Sequence, residues 1–141
     1  MSDELKIDYS SVYTLERELI TFPEKLAKYH KLAAKAITEV DRLNLKLEVM
    51  TAQILEQIQE EAVERGKPYP PTAVQELRKS KVPLNPKYKK LKLKLIEAVE
   101  NKNILNGVVK SIEAKGYRLQ ELVSLAMKRF DFSVEDKLKY D

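Results

Sequence analysis

Cysteine is absent from the 141-residue chain, which excludes a disulfide scaffold, a thiolate metal site and a cysteine nucleophile. Glycine occurs three times and proline six times, too few for the many tight turns of a sandwich or barrel. The three glycines stand apart at positions 66, 107 and 116, so no phosphate-cradling glycine loop is present. Histidine occurs once, as His30, and no base–nucleophile pair can be built around it. No catalytic residue is therefore assigned. No apolar run approaches the ~20 residues of a membrane span. The start, Met-Ser-Asp-Glu-Leu-Lys, is polar and has no signal-type apolar segment after it. A soluble cytoplasmic protein is expected, with no membrane partner and no cofactor. Length alone gives no reason to divide residues 1–141 into more than one domain.

Charge is what the chain has in quantity. Charged residues make up 34 % and apolar residues 43 %, against roughly 25 % charged in an average globular protein. Long helices with solvated faces fit this composition. The net charge of +4 is unevenly placed. Residues 1–64 carry 8 basic and 13 acidic side chains, and residues 95–141 carry 8 of each. Residues 65–94 carry 10 basic side chains against one acid, Glu76. A basic block inside an acidic or neutral chain is the sharpest charge signal.

The apolar pattern is helical throughout. Val12, Leu15, Leu19 and Ile20 predict a short N-terminal helix within 1–21, with Ser10 or Ser11 as cap. Thr21-Phe22-Pro23-Glu24 predicts a break and restart, because proline suits a first helical turn. A long helix over 23–65 follows. Its residues Leu26, Tyr29, Ala33, Ala36, Val40, Leu43, Leu47, Met50 and Ile54 alternate in spacing by 3 and 4, a heptad seam that demands a partner helix. Ile37, Leu45, Val49, Leu55 and Ile58 broaden the apolar face, which suits more than one partner. Gly66 is placed to end this helix in a left-handed conformation.

Residues 66–85 form a basic, proline-rich elbow. Pro68, Pro70 and Pro71 exclude helix at its start. Thr72 and Gln75 have capping-box spacing for a short helix, which Pro83 must end. Asn85-Pro86 restarts a second long helix over 86–115. Its seam is Tyr88, Leu91, Leu95, Ala98, Lys102, Leu105, Val109 and Ile112, polar only at Lys102. Gly116 predicts a break or kink. A last helix over 117–130 places Leu119, Leu122, Val123, Ala126 and Phe130 on one face, and residues 131–141 read as a polar tail. The expected fold is all-α: two long helices in a hairpin with short flanking helices, oligomerising through the apolar face of the last one.

Two groups of side chains invite a site. Glu56, Glu60, Glu61 and Glu64 share part of a helix face. Without histidine and a facing Glu-x-x-His they do not make a di-metal bundle site, and a solvated face is the simpler reading. The basic block, Arg65, Lys67, Arg78, Lys79, Lys81, Lys87, Lys89, Lys90, Lys92 and Lys94, encloses Tyr69 and Tyr88. Cations neutralise phosphates, and exposed tyrosine rings offer faces to unpaired bases. Tyr88 already belongs to a seam, which leaves Tyr69 as the stacking candidate. Charge by itself leaves nucleic acid, an acidic protein and a membrane surface open.

The C-terminal half carries a further pattern. Lys87-Tyr88-Lys89-Lys90-Leu91, Ala98-Val99-Glu100, Val109-Lys110-Ser111-Ile112 and Lys115-Gly116-Tyr117-Arg118 together resemble the UvsY-type recombination mediators of phages, with lysine at 115 in place of the family's usual arginine. The resemblance covers about the last 60 residues. It implies a non-enzymatic homo-oligomer that binds single-stranded DNA and helps a recombinase displace the single-strand-binding protein, working in the host cytoplasm if phage-encoded. It assigns oligomer packing to Leu119, Leu122, Val123 and Phe130. Basic residues at the end of the family's long helix would correspond to Arg65 and Lys67. Here Glu60, Glu61 and Glu64 precede them and Pro68–Pro71 replaces the usual loop, which shifts the expected DNA contact toward Arg78–Lys94. The rival expectation is a coiled-coil adaptor or phage assembly scaffold whose lysines only solvate the surface.

Overall fold

The computed structural model describes the backbone of residues 12–140 and the side chains of residues 15–129. All regular structure there is helical: α1 (Val12–Glu64), α2 (Val74–Ser80) and α3 (Pro86–Tyr140), with 3₁₀ turns at Pro71–Ala73 and Val82–Leu84. Among the described residues there is no strand.

The expected break at Thr21–Glu24 does not occur, and α1 continues through Pro23. An interior proline removes one helical hydrogen bond and crowds a carbonyl, at a cost of about 3 kcal/mol. Burial around it offsets that. Phe22 and Leu26 pack against a cluster of Tyr29, Ala33, Val109 and Ile112, and Leu15 is also buried. Each large apolar side chain so covered contributes about 1.5–3 kcal/mol. The expected helix over 1–21 is thus, from Val12 on, the first part of α1. Residues 1–11, with both candidate caps Ser10 and Ser11, lie outside the described residues.

Gly116 likewise does not interrupt α3, which joins the expected helices 86–115 and 117–130 and runs on to Tyr140. The reason is steric. A Cβ built at Gly116 would overlap three atoms of the Phe22 ring. Glycine in a helix costs about 1 kcal/mol relative to alanine, and here it opens the space that an aromatic ring fills.

The chain divides into two compact units. The first joins the α1 segment ending at Ala33 to the α3 segment from Ile104, around the Tyr29–Ile112 cluster. The second, Ala34–Asn103, is built on Val40, Leu43, Leu47 and Leu95, with Tyr88, Leu91, Ala98 and Val99 packed against them. The division falls beside Lys102, the polar seam position. The α1 seam residues Tyr29, Ala33, Ala36, Val40, Leu43, Leu47 and Ile54 are all buried. The residues that broaden the face behave differently: Ile37, Leu45 and Val49 are exposed, and Leu55 and Ile58 are half-buried.

Candidate nucleic-acid interface

The elbow belongs entirely to the second unit, and each of its turns has a local cause. Gly66 adopts φ +75°, a conformation that costs a residue with a Cβ about 1–2 kcal/mol. Its N–H donates to the Val63 carbonyl and the N–H of Lys67 to that of Ala62, both at 3.0 Å. These two bonds close α1 in a Schellman motif. At the far end Asn85 caps α3: its Oδ1 accepts the N–H of Lys87 at 2.9 Å, and Pro86 takes the first helical position. The expected Thr72–Gln75 capping box is not formed. Thr72 sits within the 3₁₀ turn Pro71–Ala73, and the residue preceding α2 is Ala73, which caps with no side chain.

Between these ends the backbone of the proline-rich segment is held by the side chain of Gln59. In Pro68–Pro71 only Tyr69 has a backbone N–H. It donates to Gln59 Oε1 at 3.1 Å, while Gln59 Nε2 donates to the Tyr69 carbonyl at 3.2 Å. The amide of Gln59 thus satisfies both polar groups of the peptide backbone at this point, as a neighbouring strand would. Lys81 Nζ donates to the Tyr69 hydroxyl and stands 4.9 Å from the ring centroid, within range of attraction to the ring. Val82, 1 % exposed, and buried Leu77 anchor the rest of the elbow.

All ten cations of the basic block are exposed, and they border different depressions of the surface. Arg65, Lys67 and Lys81 line a single open groove of about 600 Å³ together with half-buried Tyr69. Lys87 borders a neighbouring depression beside Glu56 and Glu60, where the local charge is mixed. Lys89 and Lys92 flank an apolar depression containing Pro83, Tyr88 and Leu93. Lys90 and Lys94 follow Lys87 at helical spacing on α3. Arg78 and Lys79 lie in the last turn of α2, where cations also stabilise the helix C-terminus. The residues that share a groove are therefore drawn from both the turn after α1 and the end of α2. Tyr88 serves the apolar cluster.

The pattern around residue 115 has structural work in the first unit. Ile112 is 2 % exposed in the core, Gly116 admits Phe22, and Lys115 is buried with its Nζ 3.5 Å from Glu18 Oε1. Glu18 Oε2 is buried without a hydrogen-bond partner. Tyr117 is exposed. Of the four residues assigned to oligomer packing, Leu119 is 0 % exposed and already covered by the chain itself. Leu122 and Val123 are half-buried, and the side chain of Phe130 lies outside the described residues. The Glu18–Lys115 pair, the Gln59–Tyr69 clamp and the Phe22–Gly116 contact were all invisible to sequence periodicity, because none of these residues belongs to the apolar seams.

His30 Nε2 lies 3.5 Å from Glu113 Oε1, with both side chains about half exposed; such exposed pairs contribute about 0–1 kcal/mol. Among the described residues no group of three or more histidine or acidic side chains is arranged to hold a metal ion. No helix among them is long and apolar enough to cross a membrane. Comparison with known proteins finds no family model that matches the chain, and no curated protein or solved structure with significant similarity to it.

Proposed function

We propose that the chain is a non-enzymatic single-stranded DNA-binding protein of the recombination-mediator kind, which helps load a recombinase onto strands coated by single-strand-binding protein. The observation that carries this reading is the convergence of Arg65, Lys67 and Lys81 around Tyr69 in one groove. Three cations answer a phosphate backbone, and an aromatic ring among them answers an unstacked base. A concave site of this size suits a single strand better than the outer surface of a duplex. In this reading the two long helices pair as a hairpin, and copies associate through apolar faces. Ile37, Leu45 and Val49 on α1, with Leu93 and Ile96 on α3, are exposed and support such association better than Leu119 does. The protein would work in the host cytoplasm if phage-encoded.

The test is binding to a fluorescent single-stranded oligonucleotide across a salt series, with duplex as control. Tight binding that weakens steeply with salt and prefers the single strand is expected. Reversing Arg65, Lys67 and Lys81 together should lower affinity while helicity by circular dichroism stays unchanged.

The exposed apolar rows also favour a second reading, a coiled-coil adaptor or assembly scaffold that ignores nucleic acid. It gains force from Lys115 and Gly116, whose presence in the family-like pattern is accounted for by packing against Glu18 and Phe22. An oligomer with no affinity for DNA at low salt would establish it over the first.

A further inference from the structure

The groove at the elbow is more than a basic surface. Its apolar lining comes from Ile54 and Ile58 of α1 and from Leu84 of the 3₁₀ turn Val82–Leu84. Two amide side chains, Gln57 and Asn85, stand among them. Asn85 Oδ1 is engaged by the Lys87 N–H, which leaves its amide N–H₂ as the donor it can offer. Gln57 offers both a donor and an acceptor. Arg65, Lys67 and Lys81 against Glu61 give a net of two positive charges. That equals the charge of the two phosphodiesters flanking one nucleoside. The volume of about 600 Å³ falls within the ~300–1,000 Å³ of small-molecule sites. An apolar floor, two amides and a cationic rim are the requirements for holding a nucleobase by its face and edge.

We propose that this groove holds one unstacked nucleotide of a bound single strand, its base against Tyr69, Ile58 and Leu84 and its two phosphates on Arg65, Lys67 and Lys81. The assignment rests on the DNA-binding reading above and deepens it: affinity comes from the base as well as from the backbone. Duplex is then excluded because its bases are stacked and paired. The Gln59–Tyr69 clamp fixes the backbone of Tyr69, one of the residues lining the groove.

The chain contains no tryptophan, so Leu84→Trp at the lip of the groove supplies a single reporter of occupancy. The full-length variant is titrated with oligothymidylate and with an oligomer of equal length and charge whose sugars lack bases. Anisotropy of end-labelled strands measures affinity in parallel for the unmodified protein. The expected result is quenching of the tryptophan by oligothymidylate alone, with affinity for the abasic strand about tenfold weaker. Equal affinity for both strands with no quenching overturns the groove assignment and leaves backbone binding standing. No binding of either strand at low salt overturns the DNA-binding reading and this inference together. Gln57→Ala in the unmodified protein gives an independent check, expected to weaken oligothymidylate binding and leave abasic binding unchanged.

Discussion

Gly116 of α3 lies against the ring of Phe22 of α1, so closely that a single added Cβ would overlap three of its atoms. Alanine normally stabilises a helix relative to glycine by about 1 kcal/mol. At Gly116 the ring must move, and overpacking of this kind costs about 1–3 kcal/mol. Gly116→Ala is therefore expected to lower the urea midpoint. Gly107, which has nothing within 4 Å of its built Cβ, is the control: Gly107→Ala is expected to raise it. Destabilisation by both, or stabilisation by both, would count against the steric account.

Glu18 and Lys115 form the most buried ion pair described, and one carboxylate oxygen has no partner. Removing one member of such a pair leaves a charge in a poorly solvated place. Lys115→Met is expected to cost about 3 kcal/mol. Replacing both, Glu18→Leu with Lys115→Met, should recover most of the loss. A double-mutant cycle from denaturation curves measures it, and additive losses would show that the two side chains act independently.

The clamp of Gln59 on Tyr69 is the side-chain hold on the backbone of the proline-rich segment. Gln59→Ala leaves a part-buried N–H and carbonyl unsatisfied, at a cost of about 1–3 kcal/mol. The loss should appear locally, as faster limited proteolysis between Gly66 and Pro71, along with weaker oligonucleotide binding. Unchanged cleavage at this segment would mean that the backbone of the elbow is rigid by itself.

Neutralising Arg65, Lys67 and Lys81 to glutamine should reduce the slope of log affinity against log salt by about 1.4, since each of the two phosphates they hold contributes ~0.7. The same change at Arg78 and Lys79, which line none of the grooves described, is expected to alter the slope by less than about 1. Equal effects of the two sets would indicate a diffuse field instead of a localised site.

The seams of α1 and α3 were legible because burial at Tyr29, Leu43, Leu47, Leu95 and Ile112 repeats at the period of the helix itself. Gly66, Asn85 and Pro86 were legible for a different reason: a missing Cβ, a short side-chain acceptor and a missing N–H each act on the adjacent backbone. The candidate site was legible only as a composition. The excess of cations over 65–94 is a property of the chain, but their grouping is a property of the fold. Lys81 meets Tyr69, twelve positions away, because the 3₁₀ turns and α2 bring it back.

Helical character, the periodic apolar faces and the position of the basic elbow are thus set by the order of residues, through local sterics and the 3.6-residue repeat. Tertiary contact decided the rest. Pro23 and Gly116 carry strong local signals for a break, each worth only about 1–3 kcal/mol. Burial of Phe22 and its neighbours outweighs them, so both helices continue. Packing within the first unit also covered Leu119 and Lys115, whereas in the second Leu45 and Leu93 stay exposed. Local preference is a matter of neighbours along the chain, whereas burial depends on side chains that the sequence holds far apart.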